Sequence, residues 1–478
     1  MIDKPSRRRP AARTLRAALL VPTFAAAVVF PAAAAAAPNY VPHEVIVGYA
    51  PRAVASRRAT ARMHTMVLSA VSASPRPRPR ASAAPAPRSQ VVRLPEGESV
   101  TTAIARLRRQ PGVAYAVPNY IAHAAGAWYP NDRGRTNRPQ GWEKTQWNLL
   151  NGNGISAPEA WWNLLVDHHP GGRGVTVAIL DTGVAYRNWR GFRQSPDFRG
   201  TRFVSPYDFV NHNRFPLDRN GHGTFVAGVV AEATNNGFGL TGVAYGASVM
   251  PVRVLDAGGL GDETTIAQGI RYAVNHHAQV INLSLEFLPD QVSSGSAIPQ
   301  IVSALNYAHR RGVTVVGAAG NDEDSQIAYP ARVRTVISVG ATTSDGCLAD
   351  YSNGGTGLDL VAPGGGSDAI MPTDPNCNPD RNLPSIYQLT LTDPPHWDSF
   401  GYPGYYIGTS MSSPEVAGTA ALMIASGVIG RHPSPQQILA RLEETATALG
   451  GRKPNHNYGY GLLNAGAATS RVAVAAAG

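Results

Sequence analysis

Three short segments carry residues able to cooperate in nucleophilic chemistry. Gly408-Thr409-Ser410-Met411-Ser412-Ser413-Pro414 places a serine just ahead of the apolar run Val416 to Ile424, at the mouth of an expected helix. Val175 to Gly183 ends in Leu180-Asp181-Thr182-Gly183, and Asn220-Gly221-His222-Gly223-Thr224 precedes a second apolar helix. A serine hydroxyl attacks a carbonyl well only when a neighbouring imidazole takes its proton. The imidazole needs a carboxylate on its far nitrogen, which fixes the tautomer and stabilises the cation formed during attack. Ser410, His222 and Asp181 are therefore the candidates for nucleophile, general base and orienting acid. Charge building on the carbonyl oxygen needs fixed donors. Gly317-Ala318-Ala319-Gly320-Asn321 closes a buried strand with an amide able to supply one, and the Ser410 backbone N–H can supply another.

In chain order, Asp181-Thr182-Gly183, Gly221-His222-Gly223-Thr224-Phe225-Val226-Ala227-Gly228, Ala319-Gly320-Asn321 and Gly408-Thr409-Ser410-Met411 resemble the four signature blocks of the subtilisin-like serine proteases. The Asp, His, Ser order separates that family from chymotrypsin-type enzymes and α/β-hydrolases. Ser412 also stands where a G-x-S-x-G elbow would have its second glycine. The resemblance implies an endopeptidase that works through an acyl-enzyme, with no cofactor in the chemistry. The alternatives are a narrow-specificity processing protease, or a silent relative that keeps the fold and binds without cutting.

The same resemblance assigns substrate contacts. Asn282-Leu283-Ser284-Leu285 is similar to the family's strand that pairs with an extended substrate, so Ser284, Leu285, Glu286, Gly317, Ala319 and Asp322 are the expected substrate-binding residues. Glu286-Phe287 replaces the family's usual glycine pair, and Glu415 replaces the usual histidine after Pro414. With Glu286 read as a solvated charge on the pocket rim, cleavage is expected after large apolar residues; a basic bias is the alternative. Thr234-Asn235-Asn236-Gly237-Phe238-Gly239-Leu240 resembles the family's calcium loop, which makes Asp197 and Asn236 candidate oxygen ligands for structural calcium. An ordinary Asn/Gly turn is the other reading.

The elements that must position these residues are legible as short apolar runs. Val175 to Leu180, Val249 to Leu255, Val280 to Leu285, Val313 to Val316, Val336 to Val339 and Leu358 to Ala362 read as strands buried on both faces. Helices are expected over Thr264 to Asn275, Ile298 to Arg311, Ser412 to Ala425 and Pro435 to Thr447. Together they give a doubly wound parallel-sheet α/β domain over 121–470, with active residues at the carboxyl ends of strands. Ahead of it, over 38–120, strand-like Glu44 to Tyr49, helix-like Arg52 to Ser69, strand-like Val91 to Leu94, helix-like Val100 to Arg109 and strand-like Val113 to Val117 describe a small α+β domain. It resembles the family's inhibitory propeptide, which implies a zymogen whose own propeptide is a partner. A Pro/Arg/Ala-rich insert near 74–88 interrupts it as an extended linker.

Charge is segregated along the 478 residues. Up to Leu150 there are 22 Lys and Arg against 6 Asp and Glu, and beyond it 20 against 26. The net +10 thus belongs to a front segment expected to be removed, which argues against nucleic acid as a partner. Arg7, Arg8, Arg9, Arg13 and Arg16 precede an uncharged run from Ala17 to Ala37 and form a signal-peptide pattern over 1–37. That pattern implies a secreted protein that meets a membrane only during export. Residues 471–478 are a short tail, polypeptides are the expected substrates, and a monomer is expected. Cys347 and Cys377 can pair in an oxidising compartment or stay as two free thiols. The stretch Gly364 to Pro403 reads as a surface insertion near Ser410.

Overall fold

The computed structural model describes residues 40–49, 89–95, 97–120, 126–135, 140–371 and 377–471. The signal segment, the helix expected over Arg52 to Ser69, the 74–88 insert and the tail beyond Arg471 lie outside the described residues. The chain divides into two units, Met1–Ile121 and Ala122–Gly478.

In the first unit, β1 (Tyr40–Tyr49) lies between β2 (Ser89–Arg93) and β3 (Val113–Tyr120), antiparallel to both. Helix α1 (Val100–Leu107) starts where the Ser99 side chain accepts a hydrogen bond from Thr102 N. Strand alternation turns Val45 and Val47 inward, where they meet Val92, Val100, Ala103 and Leu107 in a small core.

The second unit is built on a parallel sheet. Helix α2 (Ala157–Val166) comes first, followed by β4 (Thr176–Asp181) and the short β5 (Arg202–Phe203) and β6 (Tyr207–Asp208). Helices and strands then alternate: α3 (His222–Ala231), β7 (Ser248–Arg253), α4 (Glu263–Asn275), β8 (Val280–Leu283) and α5 (Pro299–Arg310). Next come β9 (Thr314–Ala318), β10 (Val336–Thr342), β11 (Leu360–Pro363) and a hairpin of β12 (Thr390–Leu391) with β13 (Phe400–Gly401). Helices α6 (Thr409–Ser426), α7 (Pro435–Thr445) and α8 (Ala465–Thr469) complete the unit.

The strand order is β11-β10-β9-β8-β4-β7-β5, with β6 also on β7. The chain leaves β4 to build β7 on one side and returns to build β8 on the other. This reversal opens a crevice at the carboxyl end of β4, the place where such sheets bind ligands. Successive residues of β4 face opposite layers. Val177 and Ile179 pack with Phe225, Val416 and Ala420, whereas Ala178 and Leu180 pack with Ile266, Ile270, Ile301 and Leu305. Helices α3 and α6 are apolar on every side and lie in the centre of the first layer, packed against each other. The amphipathic α4 and α5 cover the second.

The Gly364 to Pro403 stretch is less superficial than expected, because Ile386, Leu389 and Leu391 are buried. Thr390 Oγ1 donates to Gly221 O, and Tyr406 stacks on Phe225 at 4.0 Å. Cys377 within it is joined to Cys347 by a disulfide across a sequence separation of 30. Closing a loop of that length removes denatured-state entropy equivalent to about 3.5 kcal/mol. Cys347→Ser with Cys377→Ser should lower stability by up to about that amount, read as a fall in the thermal midpoint that reducing agent reproduces in wild type and does not add to in the variant.

Candidate active site

Asp181 is the last residue of β4 and its side chain is 1% exposed. Its Oδ1 accepts from Thr182 N at 2.7 Å and lies 2.8 Å from His222 Nδ1. That contact sets the tautomer with the proton on Nδ1 and leaves Nε2 free to accept one. Burial alone would lower the His222 pKa; the Asp181 charge and hydrogen bond, with the charge of Asp218, overcome it and hold the pKa above the usual histidine value.

The loop ahead of His222 is ordered by Asp218, which sequence reasoning missed. This buried carboxylate accepts from Thr182 Oγ1 at 2.9 Å, Asn220 N at 2.9 Å and Gly221 N at 3.0 Å on one oxygen. The other accepts from Thr224 N at 2.9 Å and Thr224 Oγ1 at 2.6 Å. Asp218 thereby satisfies an N-terminal donor of α3 from outside the helix. The Asp-x-Asn-Gly turn ahead of the histidine was the available signal.

Ser410 occupies the second position of α6. Four residues on, Pro414 has no N–H to return to the Ser410 carbonyl. Ser284 Oγ donates to that carbonyl at 2.8 Å instead, while accepting from Asn282 Nδ2 at 2.9 Å. Ser410 Oγ lies 3.5 Å from Ser284 O, and no hydrogen bond joins it to His222 among the described residues. Both side chains nevertheless line one cavity of about 550 Å³, together with Ser284, Leu285 and Glu286.

Asn321 follows β9 and is locked by the residue preceding the serine. Thr409 N and Thr409 Oγ1 donate to Asn321 Oδ1 at 2.8 and 3.1 Å. The amide orientation follows, because the oxygen is taken and Nδ2 must face away. Nδ2 donates to Glu286 Oε1 at 3.0 Å, and Asn321 N to Glu286 Oε2 at 3.2 Å. Glu286 is thus a half-buried, hydrogen-bonded carboxylate, not the solvated rim charge expected. Burial raises its pKa, the Asn321 bonds oppose this, and the Asp322 charge adds to it.

The remaining expected substrate residues divide. Gly317 and Ala319 are buried and absent from the cavity wall, Gly317 within β9 and Ala319 just after it. Asp322 is exposed and contributes its charge alone to Glu286. Glu415 is fully buried and accepts from Asn148 Nδ2 at 2.7 Å. Burial pushes its pKa well above the usual carboxylate value, against the opposing hydrogen bond from Asn148.

An imidazole held by a buried carboxylate, beside a serine at a helix start and an amide of fixed orientation, suits acyl transfer. Comparison with known proteins decides the family: the subtilase family model matches residues 172–461. The chain belongs to the subtilase family. A second match, over residues 26–119, is to the fervidolysin N-terminal prodomain. Among relatives, this subtilase is 34% identical over 361 residues to a thermophilic serine proteinase of a Bacillus species, spanning 76% of this chain and 74% of that one. It is 38% identical to subtilisin BL of Lederbergia lenta over 62% of this chain and 91% of that one, and 35% identical to thermitase of Thermoactinomyces vulgaris over 62% and 88%. A solved protease structure from Pseudoalteromonas arctica superposes with a TM-score of 0.55 at 30% identity, over 72% of this chain and 99% of that one. The protein is a subtilase serine endopeptidase with an N-terminal prodomain.

Asp218→Asn removes one anion facing the imidazolium, so the His222 pKa should fall. The acid limb of the kcat/KM against pH profile should move to lower pH, with a lower thermal midpoint from the weakened loop. An unmoved acid limb in a folded variant would show that Asp218 acts only on structure.

Proposed function

We propose that Ser410 is the nucleophile of an exported, self-processing endopeptidase, with His222 as general base, Asp181 as its orienting acid and Asn321 as an oxyanion donor. The observation that carries this reading is the 2.8 Å Asp181–His222 contact at the edge of the one cavity that also receives Ser410. Attack by Ser410 Oγ on the scissile carbonyl passes its proton to His222 Nε2, and the imidazolium is stabilised by Asp181. The carbonyl oxygen, now anionic, takes hydrogen bonds from Asn321 Nδ2 and the Ser410 backbone N–H. Collapse breaks the C–N bond as His222 protonates the leaving amine. Water then repeats the cycle on the acyl-enzyme.

Leu255, Leu260, Ile266 and Leu285 along the cavity support selection of large apolar side chains within a broad specificity. The front of the chain supports export and zymogen regulation. Residues 38–120 carry 12 basic against 3 acidic residues, opposite in sign to the catalytic part, which favours association of the prodomain with the enzyme it inhibits.

Ser410→Ala should lower turnover by about six orders of magnitude, a scale taken from subtilisin and not from this geometry. It should also leave the prodomain uncut and abolish labelling by a fluorophosphonate. Intact mass, N-terminal sequencing and digestion of a denatured protein, compared between wild type and variant, check this. Equal processing of both in a protease-free host would overturn the assignment.

A structural cation is the second part of the proposal. Asp132, which the sequence reading did not identify, accepts from Asn235 N at 2.8 Å and Asn236 N at 2.9 Å; Asp197 accepts from Asn236 Nδ2 at 3.1 Å and Leu240 N at 2.8 Å. Both carboxylates are fully buried. Burial is the main cause that lifts Asp132 to about 6, and Asp197 is raised by burial and by the Asp132 charge. Gly239, at φ +56°, leaves room that a Cβ would take at 1.8 Å from Asp197 Oδ2. Among the described residues no group of three His, Cys, Asp or Glu is placed for a metal, so the loop's own oxygens must complete the set. Two buried carboxylates, an amide and loop carbonyls suit calcium. Chelation should lower the thermal midpoint of the mature protein, and Asp132→Asn should lose that sensitivity. A midpoint indifferent to chelator in wild type would leave the loop an Asn/Gly turn.

A further inference from the structure

The Glu286 carboxylate stands where the proposed oxyanion donors must work. It takes both the side-chain and the backbone N–H of Asn321, and it lines the cavity shared by His222 and Ser410. Gly320, at φ +115°, is what lets it in, since a Cβ there would fall 2.6 Å from Glu286 Oε2. No described ion pair gives Glu286 a cationic partner, and Asp322, whose charge acts on it, is another anion.

We infer that Glu286 is a positioning residue that makes the oxyanion site depend on substrate charge, so that the enzyme turns over peptides with Lys or Arg before the scissile bond fastest. This rests on the assignment of Ser410 and Asn321 made above. Two negative charges compete for one set of donors: the Glu286 carboxylate in the resting enzyme and the oxygen that becomes anionic during attack. A carboxylate already seated on the Asn321 amide raises the energy of a second anion beside it. The side chain of the residue under attack enters the cavity within reach of this wall. An ammonium or guanidinium there pairs with Glu286, cancels its charge and draws it from Asn321 Nδ2, which then faces the oxyanion. A neutral side chain leaves the carboxylate in place. Leu255, Leu260 and Ile266 line the same cavity; in this reading they select neighbouring substrate residues, so the two preferences do not conflict.

A charge that merely attracted a basic side chain would act on binding and move KM. The coupling to Asn321 acts on the transition state and moves kcat. The test uses matched Ala-Ala-Pro-X p-nitroanilides with X as Lys, Met or Leu. They are assayed on mature wild type, Glu286→Gln and Glu286→Gly, each titrated with a fluorophosphonate to count active sites. In wild type, kcat for Lys should exceed that for Met by about ten- to a hundredfold, the scale of losing one oxyanion donor in part or whole. In both variants that kcat ratio should fall to within about threefold, with kcat for Met and Leu rising. A Lys/Met kcat ratio near unity in wild type, or one preserved in either folded variant, overturns the inference while Ser410 still labels. Failure of Ser410 to label, with no peptide hydrolysed, overturns the underlying assignment and the inference with it.

Discussion

The contact on which the rest of this site depends is the one between the buried Asp181 carboxylate and His222 Nδ1. A carboxylate removed from water is costly to keep charged unless its lone pairs are engaged. Here one oxygen serves both the imidazole and the Thr182 backbone, and the β4 reversal places it at the mouth of the crevice. The imidazole can accept a proton because that charge waits behind it. The Asp218-ordered loop and the buried faces of α3 and α6 hold this pair beside the cavity that Ser410 also lines.

A second constraint comes from proline. Pro414 within the second turn of α6 costs the helix a hydrogen bond and leaves the Ser410 carbonyl to be satisfied from elsewhere. Ser284, one residue past β8, supplies the donor and so ties Ser410 to the end of that strand. The missing N–H thus connects two elements that the sheet alone would leave independent.

Much of this was legible in the chain. The apolar runs gave the parallel strands because both faces are buried, and the edges shifted by a residue or two where a run such as Val280 to Leu285 continues past its last sheet partner at Leu283. The triad candidates and Asn321 stood out because each sits near a strand end or helix start with a glycine within two residues. Other features depend on pairings between distant segments, which no local pattern encodes. Glu286 meets Asn321 across 35 residues, Asp132 meets the 234–240 loop across about a hundred, and Glu415 finds Asn148 across 267. A charged residue in a turn reads as solvated until such a partner is known. The insertion after β11 misled for the same reason, since its composition is that of an exposed loop while Ile386 is buried and Leu391 lies beside Gly221.

Thr409, which precedes Ser410, makes two hydrogen bonds to a single oxygen of Asn321, although the two come from different parts of the chain. The start of α6 and the turn after β9 therefore form one mechanical body. A displacement of the helix start draws on the Asn321 amide through these two bonds. The relative placement of Ser410 and Asn321 thus rests on bonds they share through Thr409 and does not require that either be motionless.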